Sequence, residues 1–285
     1  MLWSDGRLVE GGTLPFAMGD RGLLLGDGVF DTALGLQGQV AFEAAHVARL
    51  AAAAEALGIP VERARIVEAM RALAATAPLA AVRTTLTRGP GPRGLAPPPE
   101  PAPFLFGSAA PARAALFFAP LRLTFTPIAR NDSSPAARLK TLGYLDAVLA
   151  ARDAQAQGFD EALFRNTKGR VACAGTGNVF GVFGSTLVTP PLDDGVLPGI
   201  VRAEILLRVA PALGLAVEER PLLPSDLEAA EALFVTNSLR LLAPVTALGA
   251  QAYDSAGHET VRRLCAALRA AVAADCGVGP EALDP

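Results

Sequence analysis

The chain has 285 residues, of which 51% are apolar and 19% charged, a composition that fits an ordinary folded protein and excludes a disordered or fibrous one. A net charge of −3 argues against a general nucleic-acid binder, whose surface would carry a basic surplus. Apolar runs are short and broken, as Glu55 breaks the alanine-rich run that ends at Leu57, so no membrane span is expected. The opening MLWSDGRLVE has no basic stretch followed by an apolar one, and Cys173, Cys265 and Cys276 are too scattered for a disulfide framework or a zinc site. A cytoplasmic protein is the expectation.

In chain order, short strands are predicted at Leu2 to Trp3, Arg7 to Val9 and Val29 to Leu36, with turns at Asp5-Gly6 and Gly11-Gly12. A hairpin follows over Leu34 to Ala41, turning at Gln37-Gly38. From Glu43 to Leu57 the apolar residues Val47, Leu50, Ala54 and Leu57 recur at helical spacing and stop at Gly58 and Pro60. A second helix is expected over Glu62 to Ala75, then a strand over Val82 to Thr87. That strand runs into RGPGPRGLAPPPEPAP, too rich in Pro and Gly for regular structure. Strands at Leu116 to Phe118 and Leu121 to Phe125 precede ARNDSSPAA, a polar stretch broken by Pro135 that reads as a linker.

Beyond it an amphipathic helix is expected from Leu142 to Gln157, followed by strands at Glu161 to Phe164, Val171 to Cys173, Val179 to Phe183 and Thr186 to Thr189. A helix over Pro198 to Val209, a strand over Leu215 to Arg220, a short helix over Ser225 to Ala230, a strand over Ala232 to Thr236 and a helix over Glu259 to Ala273 complete the chain. Strands and helices are mixed without regular βαβ alternation, so the fold class expected is α+β with two domains. The expected division is a small N-terminal domain over 1–128, a linker over 129–137 and a larger C-terminal domain over 138–285.

Several chemistries find no support. Gly26-Asp27-Gly28 and Gly175-Thr176-Gly177 each lack the third glycine of a dinucleotide loop, and there is no phosphate-binding GxxxxGK[ST] run and no GxSxG elbow. The chain has two histidines, and His46 has no second ligand one helical turn on, so it reads as a lone surface or capping residue. Only two of the 25 basic residues are lysines, Lys140 and Lys168, so lysine chemistry has almost no choice of residue. Lys168, in the NTKGR turn, reads as a solvated side chain. Lys140 lies between Leu139 and the helix expected from Leu142. An apolar setting there would penalise its charged form and leave a usable amine nucleophile, the alternative being a snorkelling residue at a helix start.

The segments around these residues carry a resemblance. RGLLLGDGVFDT (21–32), HVARL (46–50), KTLGYL (140–145), NVF (178–180), TPP (189–191) and LPGIVR (197–202) occur in that order. Each is weak alone; together, over about Trp3 to Val245, they resemble the fold-type IV pyridoxal-phosphate enzymes, the class IV aminotransferase family with its D-amino-acid aminotransferase-like fold. The family includes branched-chain and D-amino-acid aminotransferases and 4-amino-4-deoxychorismate lyase. The resemblance implies that Lys140 is the Schiff-base lysine and proton carrier, and that Arg49 pairs with the cofactor phosphate, a task suited to a guanidinium fork. It implies that backbone N–H groups at Ile200 and Val201 receive the same phosphate, with Val201 standing where the family usually has threonine. Ser238 matches a hydroxyl residue near the phosphate, and Asn237 beside it is expected among the cofactor-binding residues. Tyr144 and Asn178 match positions near the cofactor, although a structural hydroxyl or amide is the plain alternative for each. Arg93, in TRGPGPRGL, matches an arginine that in some members captures the substrate carboxylate, the alternative being a solvated loop arginine.

One position departs. The family's VxEGxxxN reads here as VACAGTGN (171–178), so Cys173 replaces the glutamate that would pair with the cofactor's pyridine nitrogen. A thiol is a weak partner there and does not assure a protonated ring nitrogen, which weakens electron withdrawal by the ring; a thiolate could substitute only if its pKa is depressed. Within the family, TNSLR…PV (236–245) and RGPGPRGL (88–95) resemble the aminodeoxychorismate lyases, which release pyruvate and 4-aminobenzoate, a folate precursor. The alternatives are a transaminase of D- or branched-chain amino acids, and a cofactor-binding but catalytically silent relative. The resemblance also implies a homodimer acting on a small anionic amino substrate, with the active site between the two domains and completed by a loop of the neighbouring chain.

Overall fold

Two compact units divide the chain in the computed structural model, which describes residues 1–284. The first comprises Met1–Ala114, Leu139–Gly143 and Asp275–Val278, and the second comprises Ala115–Arg138, Tyr144–Ala274 and the residues from Gly279 on. Residues 129–137, the expected linker, therefore pack within the second unit, and the five residues around Lys140 fold with the first.

The first unit is built on β1 (Leu2–Ser4), β2 (Arg7–Val9), α1 (Arg21–Leu25), β3 (Gly28–Leu36), β4 (Gln39–Val40), α2 (Glu43–Ala56), α3 (Arg63–Ala74), β5 (Leu79–Thr87) and β6 (Phe104–Pro111). Its sheet runs β2-β1-β6-β5-β3-β4, antiparallel throughout. Gln37 and Gly38 both have positive φ, 50° and 82°, the paired left-handed geometry that matches a two-residue hairpin to strand twist. Alternation along the strands sorts the faces: Val29 and Ala33 of β3 and Val82 and Leu86 of β5 pack with Leu50 of α2 and Ile66, Met70 and Leu73 of α3. Burying these apolar side chains contributes about 1.5–3 kcal/mol each for the larger ones, and this core fixes β3 under α2. On the helix-free face, Phe16 meets Phe104 and Phe106 edge-on and Arg83 lies over the Phe30 ring.

The second unit contains β7 (Leu121–Phe125), α4 (Leu145–Ala156), β8 (Glu161–Arg165), β9 (Val171–Ala174), β10 (Asn178–Phe183), β11 (Thr186–Thr189), α5 (Ile200–Glu204), α6 (Ala210–Ala212), β12 (Ala216–Glu219), α7 (Pro224–Glu228), β13 (Ala232–Asn237), β14 (Leu241–Leu248), β15 (Gln251–Ala252) and α8 (Glu259–Asp275). Its strands order as β12-β11-β10-β13-β14-β7-β8-β9, with β15 paired to β14. The pairs β11–β12, β7–β14 and β7–β8 are parallel. Leu121, Leu163, Val179, Val188, Leu233 and Val245 form the centre of its core. No helix among the described residues is long and apolar enough to cross a membrane.

Three expectations are corrected. Leu116 to Phe118 is not a strand: Ala114–Leu116 is a 3₁₀ turn and Phe118 has φ of 56°. The helix expected from Leu142 begins at Leu145, because Thr141 bridges Val29 and the Leu142 N–H bonds the Gly28 carbonyl, holding this stretch extended along β3. The helix expected from Pro198 begins at Ile200 and passes into a π-helical turn over Ile205–Val209.

Candidate active site

Lys140 is fixed by the backbone before its side chain acts. The Phe30 N–H bonds the Lys140 carbonyl at 2.9 Å, and Leu142 bonds Gly28 at 3.2 Å, so residues 140–142 extend the sheet along the start of β3. Gly28 permits this: a Cβ there would lie 2.6 Å from the Leu86 carbonyl oxygen and 2.8 Å from Leu142 Cδ1. Lys140 is half-buried, and its Nζ sits 4.4 Å from the centroid of the Phe30 ring, a cation–π contact. Arg83 approaches the same ring, its Cζ 3.6 Å from the centroid.

The next residue of β3, Asp31, holds Arg49. Arg49 Nε donates to Asp31 Oδ2 at 2.8 Å and Nη2 donates to Oδ1 at 2.9 Å, a bidentate fork. His46, three residues before Arg49 on α2, places Nδ1 2.6 Å from Asp31 Oδ1. Helical spacing of three puts His46 and Arg49 on one face of α2, over β3. His46 is thus not a lone surface residue, as it is 1% exposed and committed to Asp31. Burial would push the Asp31 carboxyl up, but the facing His46 and Arg49 outweigh it and hold it down at about 2. Lys140 and Arg49 are therefore tied to consecutive residues of one strand, Phe30 and Asp31.

The loop after β5 is pinned by buried arginines. Arg21 donates to the carbonyls of Gly94 and Leu95 and, with Arg88, to Asp27 Oδ2. This anchors the Pro/Gly stretch immediately beside Arg93, whose side chain is exposed.

In the second unit, Cys173, Asn178, Ile200, Val201 and Asn237 are gathered by the strand ends. Cys173 on β9 packs against Val196, and Asn178 at the start of β10 donates to the Leu197 carbonyl at 2.9 Å. Asn178 thereby fixes the turn that opens α5, and a Cβ on Gly199 would collide with the Asn178 side-chain oxygen. Ala203 is the first residue of this helix to bond back, to the Gly199 carbonyl, so Ile200 and Val201 occupy the positions whose N–H groups have no carbonyl one turn earlier. The Asn237 side-chain oxygen accepts from the N–H groups of Leu239 and Arg240, organising the turn that contains Ser238. Tyr144 is half-buried immediately before α4.

The chemistry of these donors fits a phosphorylated cofactor. Thr236 is the register partner of Asn178, which puts the two side chains on the same sheet face, and its buried Oγ1 has no hydrogen-bond partner among the described residues. With the open N–H groups of Ile200 and Val201, the arrangement supplies hydrogen-bonding capacity for an anionic, oxygen-rich group. The pyridine side is different. Burial pushes the Cys173 thiol up, the Arg130 cation offsets part of that, and the Glu161 carboxylate adds to it. The Cys173 side chain is accordingly a neutral thiol, and no thiolate takes the place of the family's glutamate. Glu161 itself is committed to Thr176, accepting from its N–H and its hydroxyl.

The fold and these residues define a vitamin-B6 enzyme of the aminotransferase type, and comparison with known proteins gives the family. The model for amino-transferase class IV matches residues 28–248. A Methanocaldococcus jannaschii protein assigned as a branched-chain-amino-acid aminotransferase is 32% identical over 252 residues, 86% of each chain. The crystal structure of 4-amino-4-deoxychorismate lyase from Pseudomonas aeruginosa superposes with a TM-score of 0.84 at 30% identity, covering 95% of this chain and 98% of that one. A branched-chain aminotransferase of Thermoproteus uzoniensis shares the fold, with a TM-score of 0.87 at 24% identity over 96% and 95% of the two chains. The chain belongs to the class IV aminotransferase family, whose members are pyridoxal-phosphate-dependent enzymes.

Asp31 and Arg83 escaped the sequence reading. Alternation along β5 would have placed Arg83 on the helix-free face, but nothing in a single strand says that Phe30 lies beneath it. Asp31 carries no spacing signal linking it to α2.

Proposed function

We propose that the chain is a 4-amino-4-deoxychorismate lyase, releasing pyruvate and 4-aminobenzoate. What supports it most is the TNSLR…PV segment, set beside the 30% identity to the Pseudomonas aeruginosa lyase across nearly the whole length of both chains. When bound, pyridoxal phosphate supplies an electrophilic aldehyde and an electron-withdrawing ring. Lys140 is the amine that attaches to it, and in turnover its Nζ accepts the proton from the ring carbon bearing the substrate amine. Loss of that proton and of the enolpyruvyl group makes the product ring aromatic, which supplies driving force of the substrate's own. In the first unit Arg49 is the guanidinium proposed for the phosphate, and in the second the N–H groups of Ile200 and Val201 and the Ser238 hydroxyl are the hydrogen-bond donors proposed for it. Arg93 and Arg83 are the cations for the carboxylates of the substrate.

The neutral Cys173 thiol favours this reading over transamination. A reaction pulled forward by aromatisation makes smaller demands on ring electron withdrawal than one that moves a proton reversibly between two amino acids. The second reading, a class IV aminotransferase, is favoured by the 32% identity to the Methanocaldococcus jannaschii protein. A homodimer in the cytoplasm completes the proposal. Leu23, Leu24 and Leu25, exposed on α1, are apolar surface for a second copy, and sedimentation at graded concentration tests it.

The deciding assay supplies aminodeoxychorismate alone. Pyruvate formation without any 2-oxoacid acceptor is the result expected. Turnover that appears only with an amino donor and an acceptor assigns a transaminase, and absence of both activities in cofactor-loaded protein assigns the silent relative.

A further inference from the structure

Three ionisable side chains are buried together under α2, a costly arrangement. An ionised carboxylate removed from water loses several kcal/mol of solvation, which its ion pairs must repay before they add any stability. Asp31 is completely buried, His46 is 1% exposed and the Arg49 side chain is 12% exposed. Stability alone does not call for charges here, since apolar side chains of the same volume would fill the space at no electrostatic cost.

Its geometry explains it better. Arg49 engages Asp31 side-on, through Nε and Nη2, which fixes both the plane and the rotation of the guanidinium and directs its end-on edge away from Asp31. Asp31 is itself held from the other side. An ionised carboxylate can only accept, so His46 Nδ1 carries the proton of the 2.6 Å contact to Oδ1. Oδ1 thus receives both His46 and Arg49 Nη2, while Oδ2 receives Arg49 Nε. β3 supplies the carboxylate and one face of α2 supplies both partners, so the direction of Arg49 is set by secondary structure and not by a flexible side chain.

We propose that Asp31 and His46 are positioning residues that orient Arg49 toward the cofactor phosphate. The proposal rests on the reading of Arg49 as the phosphate-binding arginine. Its consequence runs against simple charge counting. Removing a carboxylate beside a phosphate site removes repulsion and on charge alone strengthens anion binding, whereas loss of positioning weakens it.

The test compares binding of pyridoxal phosphate with binding of pyridoxal, which lacks the phosphate, to the full chain freed of cofactor. Absorbance titration gives both affinities, and their ratio isolates the phosphate contribution. Asp31→Asn and His46→Ala are expected to lower this ratio by about tenfold each, the size of one lost charge-assisted hydrogen bond. His46→Asn, which keeps a donor near the Nδ1 position, is expected to restore most of it. A general loss of packing would weaken both ligands alike and leave the ratio unchanged, and an unchanged or raised ratio in folded Asp31→Asn overturns the proposal. If Asp31→Asn does not fold, the contrast between His46→Ala and His46→Asn decides in the same way. Arg49→Gln separates the two levels. A ratio unaffected by Arg49→Gln removes the phosphate reading and this proposal with it. A ratio lowered by Arg49→Gln but not by the Asp31 or His46 variants removes the proposal alone.

Discussion

In the first unit, the polar residues of the candidate site are held by charge: Arg49 by the Asp31 fork, Asp31 by His46, and Asp27 by Arg21 and Arg88. In the second they are held by backbone and neutral groups: Asn178 on the Leu197 carbonyl, open N–H groups at Ile200 and Val201, and a thiol at Cys173. The difference teaches how each region should fail. A charge-built site is sensitive to pH and to loss of one partner, because the other is left buried and uncompensated. A backbone-built site is insensitive to side-chain polarity and sensitive to anything that changes the path of the chain.

The largest effect is expected at the two lysines, whose settings contrast just as sharply. Lys140 is laid along β3 against Phe30, while Lys168 has a side chain 58% exposed and bonded to Asp132 at 2.8 Å. Lys168 is thus a bridge on the turn and not merely a solvated residue, and its hydrogen bond, helped by that of Thr167, holds the Asp132 carboxyl below the usual range. Lys140→Ala should lower turnover by on the order of a thousandfold or more. Lys168→Ala should leave turnover within about twofold and cost at most about 1 kcal/mol of stability in denaturant unfolding.

Next is the backbone-built region. Gly199→Ala puts a methyl group into the Asn178 side-chain oxygen, so either the turn before Ile200 or the Asn178 side chain that bonds the Leu197 carbonyl must shift. A stability loss of about 1–3 kcal/mol is expected, together with weaker cofactor binding in an absorbance titration. Val201→Thr, which leaves the chain path intact, should change cofactor affinity far less.

The charge-built region should respond to acid. The Asp31 carboxyl lies at about 2 in the folded protein, below its ordinary value of 3.8, so the folded state binds fewer protons than the unfolded state between these values. Its contribution, about 2 kcal/mol, is complete above roughly pH 4 and is lost as the pH falls through 2. In denaturant unfolding, the stability gap between wild type and Asp31→Asn should close over that interval, and a gap constant with pH contradicts the assignment.

The smallest effect concerns Cys173. With its thiol neutral and buried, it should resist alkylation by iodoacetamide at neutral pH in the folded enzyme. Cys173→Glu restores a carboxylate to the position and should raise transaminase turnover more than lyase turnover. The opposite ranking argues against the role given to aromatisation.

Much of the frame was legible in the sequence because periodicity reports burial. The apolar spacing of Val47, Leu50 and Ala54 marked α2, and the Gln37-Gly38 pair marked its hairpin. β6 and β14 went unread: β6 follows a Pro-rich stretch, and β14, LLAPVTAL, contains a proline that reads as a break. The extended stretch 140–142 went unread, and its last residue, Leu142, was taken into the following helix, because its pairing with Gly28 and Phe30 spans more than a hundred residues, which no local pattern carries. For the same reason motif order pointed to Lys140, Arg49 and Ile200, whereas Asp31 and the true setting of His46 emerged only once β3 lay under α2.

The central claim is that Lys140 is the residue to which pyridoxal phosphate attaches. Borohydride reduction of the cofactor-loaded enzyme, followed by peptide mapping, tests it most directly. The account predicts bleaching of the cofactor absorbance and a single pyridoxyl adduct on the peptide containing Lys140. An adduct on Lys168, or reduction that leaves every lysine unmodified, contradicts it.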